Sequence, residues 1–141
     1  MWPKTFQLRL DAWASLRQQI QKESAEQALT TINQWWFQTP WRAYHLHWDD
    51  QETWPDPWEL LSDNLYCDVA RGLGIMYTIS LLDHADLTDA ELVLTDEGHN
   101  LVLVDKRKYI LNWDAENIVN TNHNTRIKKI LTQSQVQQKY N

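Results

Sequence analysis

The chain has 141 residues, a net charge of −6 and one Cys, which excludes an internal disulfide framework and a multi-Cys zinc cluster. Its three Gly form neither a G-x-G-x-x-G nor a Walker pattern, and the acidic balance argues against a nucleic-acid footprint. No apolar run approaches the roughly 18 residues of a membrane span, and the length fits one domain over 1–141.

Met1 to Leu10 carries Lys4 and Arg9 and has no continuous apolar stretch, so no signal peptide is expected. The free Cys then fits a cytoplasmic protein. Thr5 is placed to cap a first helix, in which Phe6, Leu10, Trp13, Leu16 and Ile20 recur at three- and four-residue spacing. Ser24 opens a second helix, with Gln27 completing a capping box and Ala25, Ala28, Leu29, Ile32, Trp35 and Trp36 as its stripe. Pro40 ends it, which gives a helical hairpin over 1–40.

Trp41 to Trp48 alternates in part and predicts a short strand. Trp54-Pro55-Asp56-Pro57 is a stiff turn, with Asp56 as cap and Pro57 at a first helical position. Ser62, Asp63 and Asn64 are three candidate caps for the next and most apolar helix. It carries Cys67, with Leu65, Val69, Leu73, Met76, Ile79 and Leu82 on one side. Gly72 and Gly74 inside it each cost about 1 kcal/mol against Ala, which predicts another backbone packed closely there.

His84 and His123 read as loop residues. Glu91 to Asp96, His99 to Val104 and Tyr109 to Trp113 are short, rich in Leu, Val and Ile, and read as an antiparallel meander. An Asn-rich loop follows, then a polar amphipathic helix from Thr125 to Gln138 (Ile127, Ile130, Leu131, Val136). The class is α+β: N-terminal helices, a central helix carrying Cys67, a small antiparallel sheet at about 91–113 and a C-terminal helix. The α+β core spans 41–120 and the helical tail 121–141.

Cys67 lies near the start of the central helix. With Asn64 as cap it falls in the first turn, where the dipole and free N–H groups favour a thiolate; with Ser62 as cap it lies a turn deeper. A two-residue loop at Lys106-Arg107 pairs Val104 with Tyr109 and, continued, sets His99 opposite Asp114, with Cβ atoms about 4.5–5.5 Å apart. Asn112 lies on the same face, on a diagonal. Asp96 is another candidate partner, through a tight turn at Glu97-Gly98. A His acting as base on a thiol needs such a group to fix its tautomer.

A Cys opening a helix, followed by a sheet with His on one strand and Asp or Asn on the next, resembles the plan of papain-like and transglutaminase-like cysteine hydrolases. The matching segments are Asn64 to Ala70, Gly98 to Val104 and Lys108 to Asp114. Separations of 32 residues from Cys67 to His99 and 15 from His99 to Asp114 look more like the compact transglutaminase-like members. The resemblance implies a thiol hydrolase or acyltransferase on a peptide or amide substrate, with Cys67 as nucleophile, His99 as base and Asp114 or Asn112 orienting it. Against this stands the plainer reading: Cys67 as a small buried hydrophobe, His99 as a turn residue and Asp114 as a local cap.

His45-x-His47 has a metal-ligand spacing, with Glu52, His99, Asp49 or Asp50 as further ligands. Two His in an aromatic surface strand is the simpler account, and no metal or other cofactor is expected. Six of the nine Trp fall between positions 35 and 58. Trp35 and Trp41 are expected to pack. Trp54 and Trp58, stiffened by two prolines, are expected at an interface, with Trp36 and Trp48 as further candidates. The second functional reading is therefore a structural or adaptor protein that docks a protein partner or joins an assembly through a Trp-rich surface. The richness in Trp, Gln and Asn resembles small proteins of tailed bacteriophages, which implies a virion-associated component. Neither reading involves nucleic acid or membrane.

Overall fold

The computed structural model describes residues 1–43, 45–119 and 126–140. Thr5 Oγ1 accepts the Leu8 N–H at 3.2 Å and starts α1 (Phe6–Ile20), whose inward residues are Arg9, Trp13, Leu16 and Ile20. Ser24 Oγ accepts the Gln27 N–H and starts α2 (Ala25–Trp36). Both caps stand where the sequence puts them, but α2 closes at Trp36, before Pro40. Asp56 and Glu59 form a reciprocal capping box at α3 (Pro57–Asp63), with Pro57 in the first turn.

Asn64 takes a left-handed conformation (φ 55°) and terminates α3. Ser62 and Asp63 therefore finish one helix and do not cap the next. The central helix α4 (Asp68–Leu81) begins later than expected, with Cys67 itself as the N-cap. Its residues from Gly72 to Ile79 are all buried, as the run of apolar residues requires.

The strand expected at 41–48 does not form. Trp41 makes one isolated bridge to Tyr66, the Arg42 N–H donates to the Tyr66 carbonyl, and a 3-10 turn covers Trp48–Thr53. Alternation alone did not suffice, because among the described residues no strand lies alongside to pair with it. Tyr44 lies outside the described residues.

Four strands, β1 (Glu91–Thr95), β2 (Asn100–Val104), β3 (Tyr109–Leu111) and β4 (Ile127–Thr132), form one antiparallel sheet in the order β3-β2-β1-β4. Val104 pairs with Tyr109, as the hairpin arithmetic predicts. Asp105, Lys106 and Arg107 all have positive φ in that turn, and the Asp89 carboxylate accepts the Asp105 and Lys106 N–H groups at 2.8 and 2.7 Å. Strand β4 corrects the expected tail helix. Ile127, Ile130 and Leu131 fit either period, and the free edge of β1 selects the strand. Among the described residues of the tail only α5 (Gln133–Gln137) is helical, behind a Thr132–Gln135 capping box. Residues 120–125, with His123, the Asn-rich loop and the predicted helix start at Thr125, lie outside the described residues.

The sheet has two apolar faces. Leu92, Val102, Val104, Leu111 and Leu131 join the main core with the helices. Val93, Leu101 and Leu103, with Ile110 and Ile127, form a second cluster on the other face. The two helical glycines admit side chains, not the backbone that the sequence suggested. A Cβ on Gly72 would sit 2.7 Å from Leu92 Cδ1, and one on Gly74 would sit 2.5 Å from the Trp36 ring. Trp36 is tethered by its Nε1–H to Thr78 Oγ1 at 2.9 Å, so the ring has little freedom to retreat. Gly74→Ala is expected to lower stability by about 1–2 kcal/mol in urea denaturation. Overpacking costs about 1–3 kcal/mol and outweighs a helix-propensity gain of about 1 kcal/mol. An equally stable variant would show that Trp36 can move.

Candidate functional site

At the head of α4, Cys67 is only 4% exposed and belongs to the main core. Its Sγ accepts the Leu46 N–H at 3.4 Å, the thiol's one hydrogen bond among the described residues. Beside it Asn112 organises the helix start. Its Nδ2 donates to the carbonyls of Asp68 and Asn100, each at 2.8 Å, and its Oδ1 accepts from Arg71 Nε at 2.6 Å. Its own N–H donates to Asn33 Oδ1 at 2.9 Å. Arg71 also pairs with Asp68 at 3.1 Å. Burial lowers the Arg71 pKa, and the nearby Asp68 opposes that shift.

Asn112 has φ 70°, so the chain leaves the sheet after Leu111. The extrapolated pairing of His99 with Asp114 is thereby cut short. Asp114 turns to its own loop: Oδ1 accepts the N–H groups of Glu116 and Asn117 at 2.7 and 3.0 Å, and Oδ2 accepts Asn117 Nδ2 at 3.1 Å. These bonds hold its carboxyl below the usual carboxylate range. Among the described residues no helix follows it, but the local cap is the role the plainer reading gave it.

His99 shares the strand parity of Leu101 and Leu103, on the sheet face away from α4. The residue that opens β2 on the α4 side is Asn100, whose Oδ1 accepts Trp48 Nε1–H at 2.8 Å. Thr95, not Asp96, stands against His99: the Thr95 N–H donates to the His99 carbonyl and Thr95 Oγ1 accepts the His99 N–H. The His99 ring meets the Trp113 ring edgewise, centroids 4.7 Å apart, and its Nε2 lies 3.7 Å from Glu97 Oε2. Of the four catalytic candidates, the structure brings Asn112 to the head of α4, where Cys67 sits. His99 and Asp114 line a different region.

Among the described residues no group of three or more His, Cys, Asp or Glu could hold a metal ion. His45 is half-buried and His47 exposed, and the His47 carbonyl accepts Trp54 Nε1–H. Three of the four interface candidates turn inward. Trp36, Trp48 and Trp54 are buried, and only Trp58 stays 45% exposed. The proline-stiffened turn carries Trp54 against Trp48, so rigidity served packing there. Trp35 packs as expected, edge-on to Trp2 and Trp36. Trp41 does not, being 60% exposed.

A broad concavity lies elsewhere. A groove of about 800 Å³ runs between the first turns of α2 and the corner of the sheet that carries His99, with the 113–119 segment along it. Asn33 of α2 fixes that segment, donating from Nδ2 to the Asp114 carbonyl at 2.7 Å. Trp113 lines the groove and is 58% exposed. Sequence reading missed Trp113, because the meander was extended through it. The available signal was its position at a strand end beside Asn112, a residue that tolerates left-handed φ. Compared with family models, curated proteins and solved structures, the chain matches none. No helix among the described residues is long and apolar enough to cross a membrane.

Proposed function

We propose that this chain is a non-enzymatic docking protein. The observation that carries the reading is the setting of Cys67: the thiol is sealed in the core, bonded to a peptide N–H, with amides around the helix start and His99 on the far face of the sheet. A thiol nucleophile needs access and a base within reach. Exposed aromatic surface supports docking from the other side, since Trp113, Trp58 and Trp41 are each 45% exposed or more. Trp is the residue most enriched where interfaces concentrate their energy.

Iodoacetamide labelling of the folded protein across pH tests this. Cys67 is expected to stay unlabelled at pH 6 to 8 and to react fully only after denaturation. Fast labelling at pH 6, slowed by His99→Ala, would overturn the docking reading in favour of a thiol hydrolase.

A further inference from the structure

The groove beside His99 is walled by carboxylates over an apolar surface. Glu26 reaches it from α2, Glu97 from the β1–β2 turn, and Asp114 and Glu116 from the segment after β3. No Lys or Arg is among the described residues that line it, and residues 120–125 contain neither. Leu101, Ile110, Ile118 and Val119 supply apolar lining. Lys106, Arg107 and Lys108 lie in the β2–β3 turn, at the end of the sheet opposite the groove, while Arg126, whose carbonyl accepts the Asp96 N–H, precedes β4 at the groove's end without lining it. Asp114 is held by its own loop and Glu97 lies near His99; Glu26 and Glu116, like Glu97, are exposed.

Resting on the docking reading above, we infer that this groove takes a basic, extended segment of a protein partner, with Lys or Arg side chains set against Trp113 and the carboxylates of Glu26 and Glu116. A long cationic side chain matches every part of the lining. Its methylene stem covers apolar surface while its charged head reaches solvent and carboxylate. An exposed indole adds cation–π attraction to that head. A single sign of charge in a concave site raises the local concentration of an oppositely charged partner and rejects acidic ones. The net charge of −6 acts in the same direction.

The test is fluorescence anisotropy of a fluorescein-labelled peptide of alternating Arg and Gly, with a Glu-for-Arg peptide and spermidine as comparators. Indole N–H signals of ¹⁵N-labelled protein locate binding, the Trp113 signal being assigned with Trp113→Phe. The Arg peptide is expected to bind, to shift the Trp113 indole, and to weaken as salt rises to about 0.3 M. Glu26→Gln/Glu116→Gln is expected to weaken it at least about tenfold, the scale of losing charge-assisted contacts. Those two side chains are exposed, so melting at the wild-type temperature checks the fold. Besides a failure to bind, three results would overturn the inference: equal binding by wild type and double variant, equal binding of the Glu peptide, or a Trp113 shift with spermidine but not with the peptide. If the peptide fails to bind while Cys67 stays sealed, the groove assignment falls and the docking reading stands. If Cys67 labels readily in the folded protein, the docking reading itself falls.

Discussion

Thr78→Val is expected to destabilise the protein by about 2–5 kcal/mol, although Val fills nearly the same volume. Thr78 Oγ1 accepts the indole N–H of Trp13 and that of Trp36, each at 2.9 Å, and donates to the Gly74 carbonyl at 2.8 Å. Thr78 is fully buried, and the two Trp are about 1% exposed. A methyl group there leaves two indole donors without water or acceptor, at about 1–3 kcal/mol each. Urea denaturation should show a lower midpoint at unchanged slope. Thr78→Ser, which keeps the oxygen, should stay within about 1.5 kcal/mol of wild type, the cost of one buried methyl group. A double-mutant cycle with Trp13→Phe gives the coupling, because removing one donor should lessen the cost of losing the acceptor. A loss under about 1 kcal/mol for Thr78→Val would show that the indoles find other partners. α1, α2 and α4 meet at this hydroxyl, so the prediction tests what fixes their mutual placement.

Asn112→Ala is expected to cost about 3–5 kcal/mol. It orphans the Asn100 carbonyl and the Arg71 Nε–H and takes a second bond from the Asp68 carbonyl, and Arg71 is half-buried. It also places a Cβ-bearing residue without a local polar group at φ 70°. Asn112→Gly separates the two causes. It relieves the backbone strain and leaves the bonds broken, so it should recover about 1 kcal/mol and no more. Chemical denaturation measures both. If Asn112→Ala is tolerated, the head of α4 is held by packing instead, and the network around Cys67 is incidental to stability.

These two positions mark where reading the chain worked and where it stopped. Thr5, Ser24 and Asp56 lie next to the helices they cap, and Pro57 sets its own φ, so the helix starts were legible. The β2–β3 pairing was legible for the same reason: two residues of turn fix a register. Asn112 was singled out, but as an orienting group for His99. Its role depends on a left-handed φ and on four residues 12 to 79 positions away that no spacing rule reaches. The Thr78 hub was equally invisible, since its partners lie 42 and 65 residues away.

The sequence by itself determined the α+β class, the caps of the first three α-helices, the hairpin register and the exclusion of disulfide, Walker and membrane-span chemistry, because each rests on composition or on neighbours within a few residues. Tertiary structure alone decided three things. Strand β4 formed because the free edge of β1 offered unpaired backbone groups to a segment whose pattern fitted either period. Trp36, Trp48 and Trp54 went inward because each indole N–H found an acceptor there, in Thr78, Asn100 and the His47 carbonyl. Cys67 and His99 parted because strand parity put His99 on the outer face, and Asp114 left His99 because one backbone torsion at Asn112 ended β3 early. Local rules propose which groups are available, and only long-range packing chooses which of them meet.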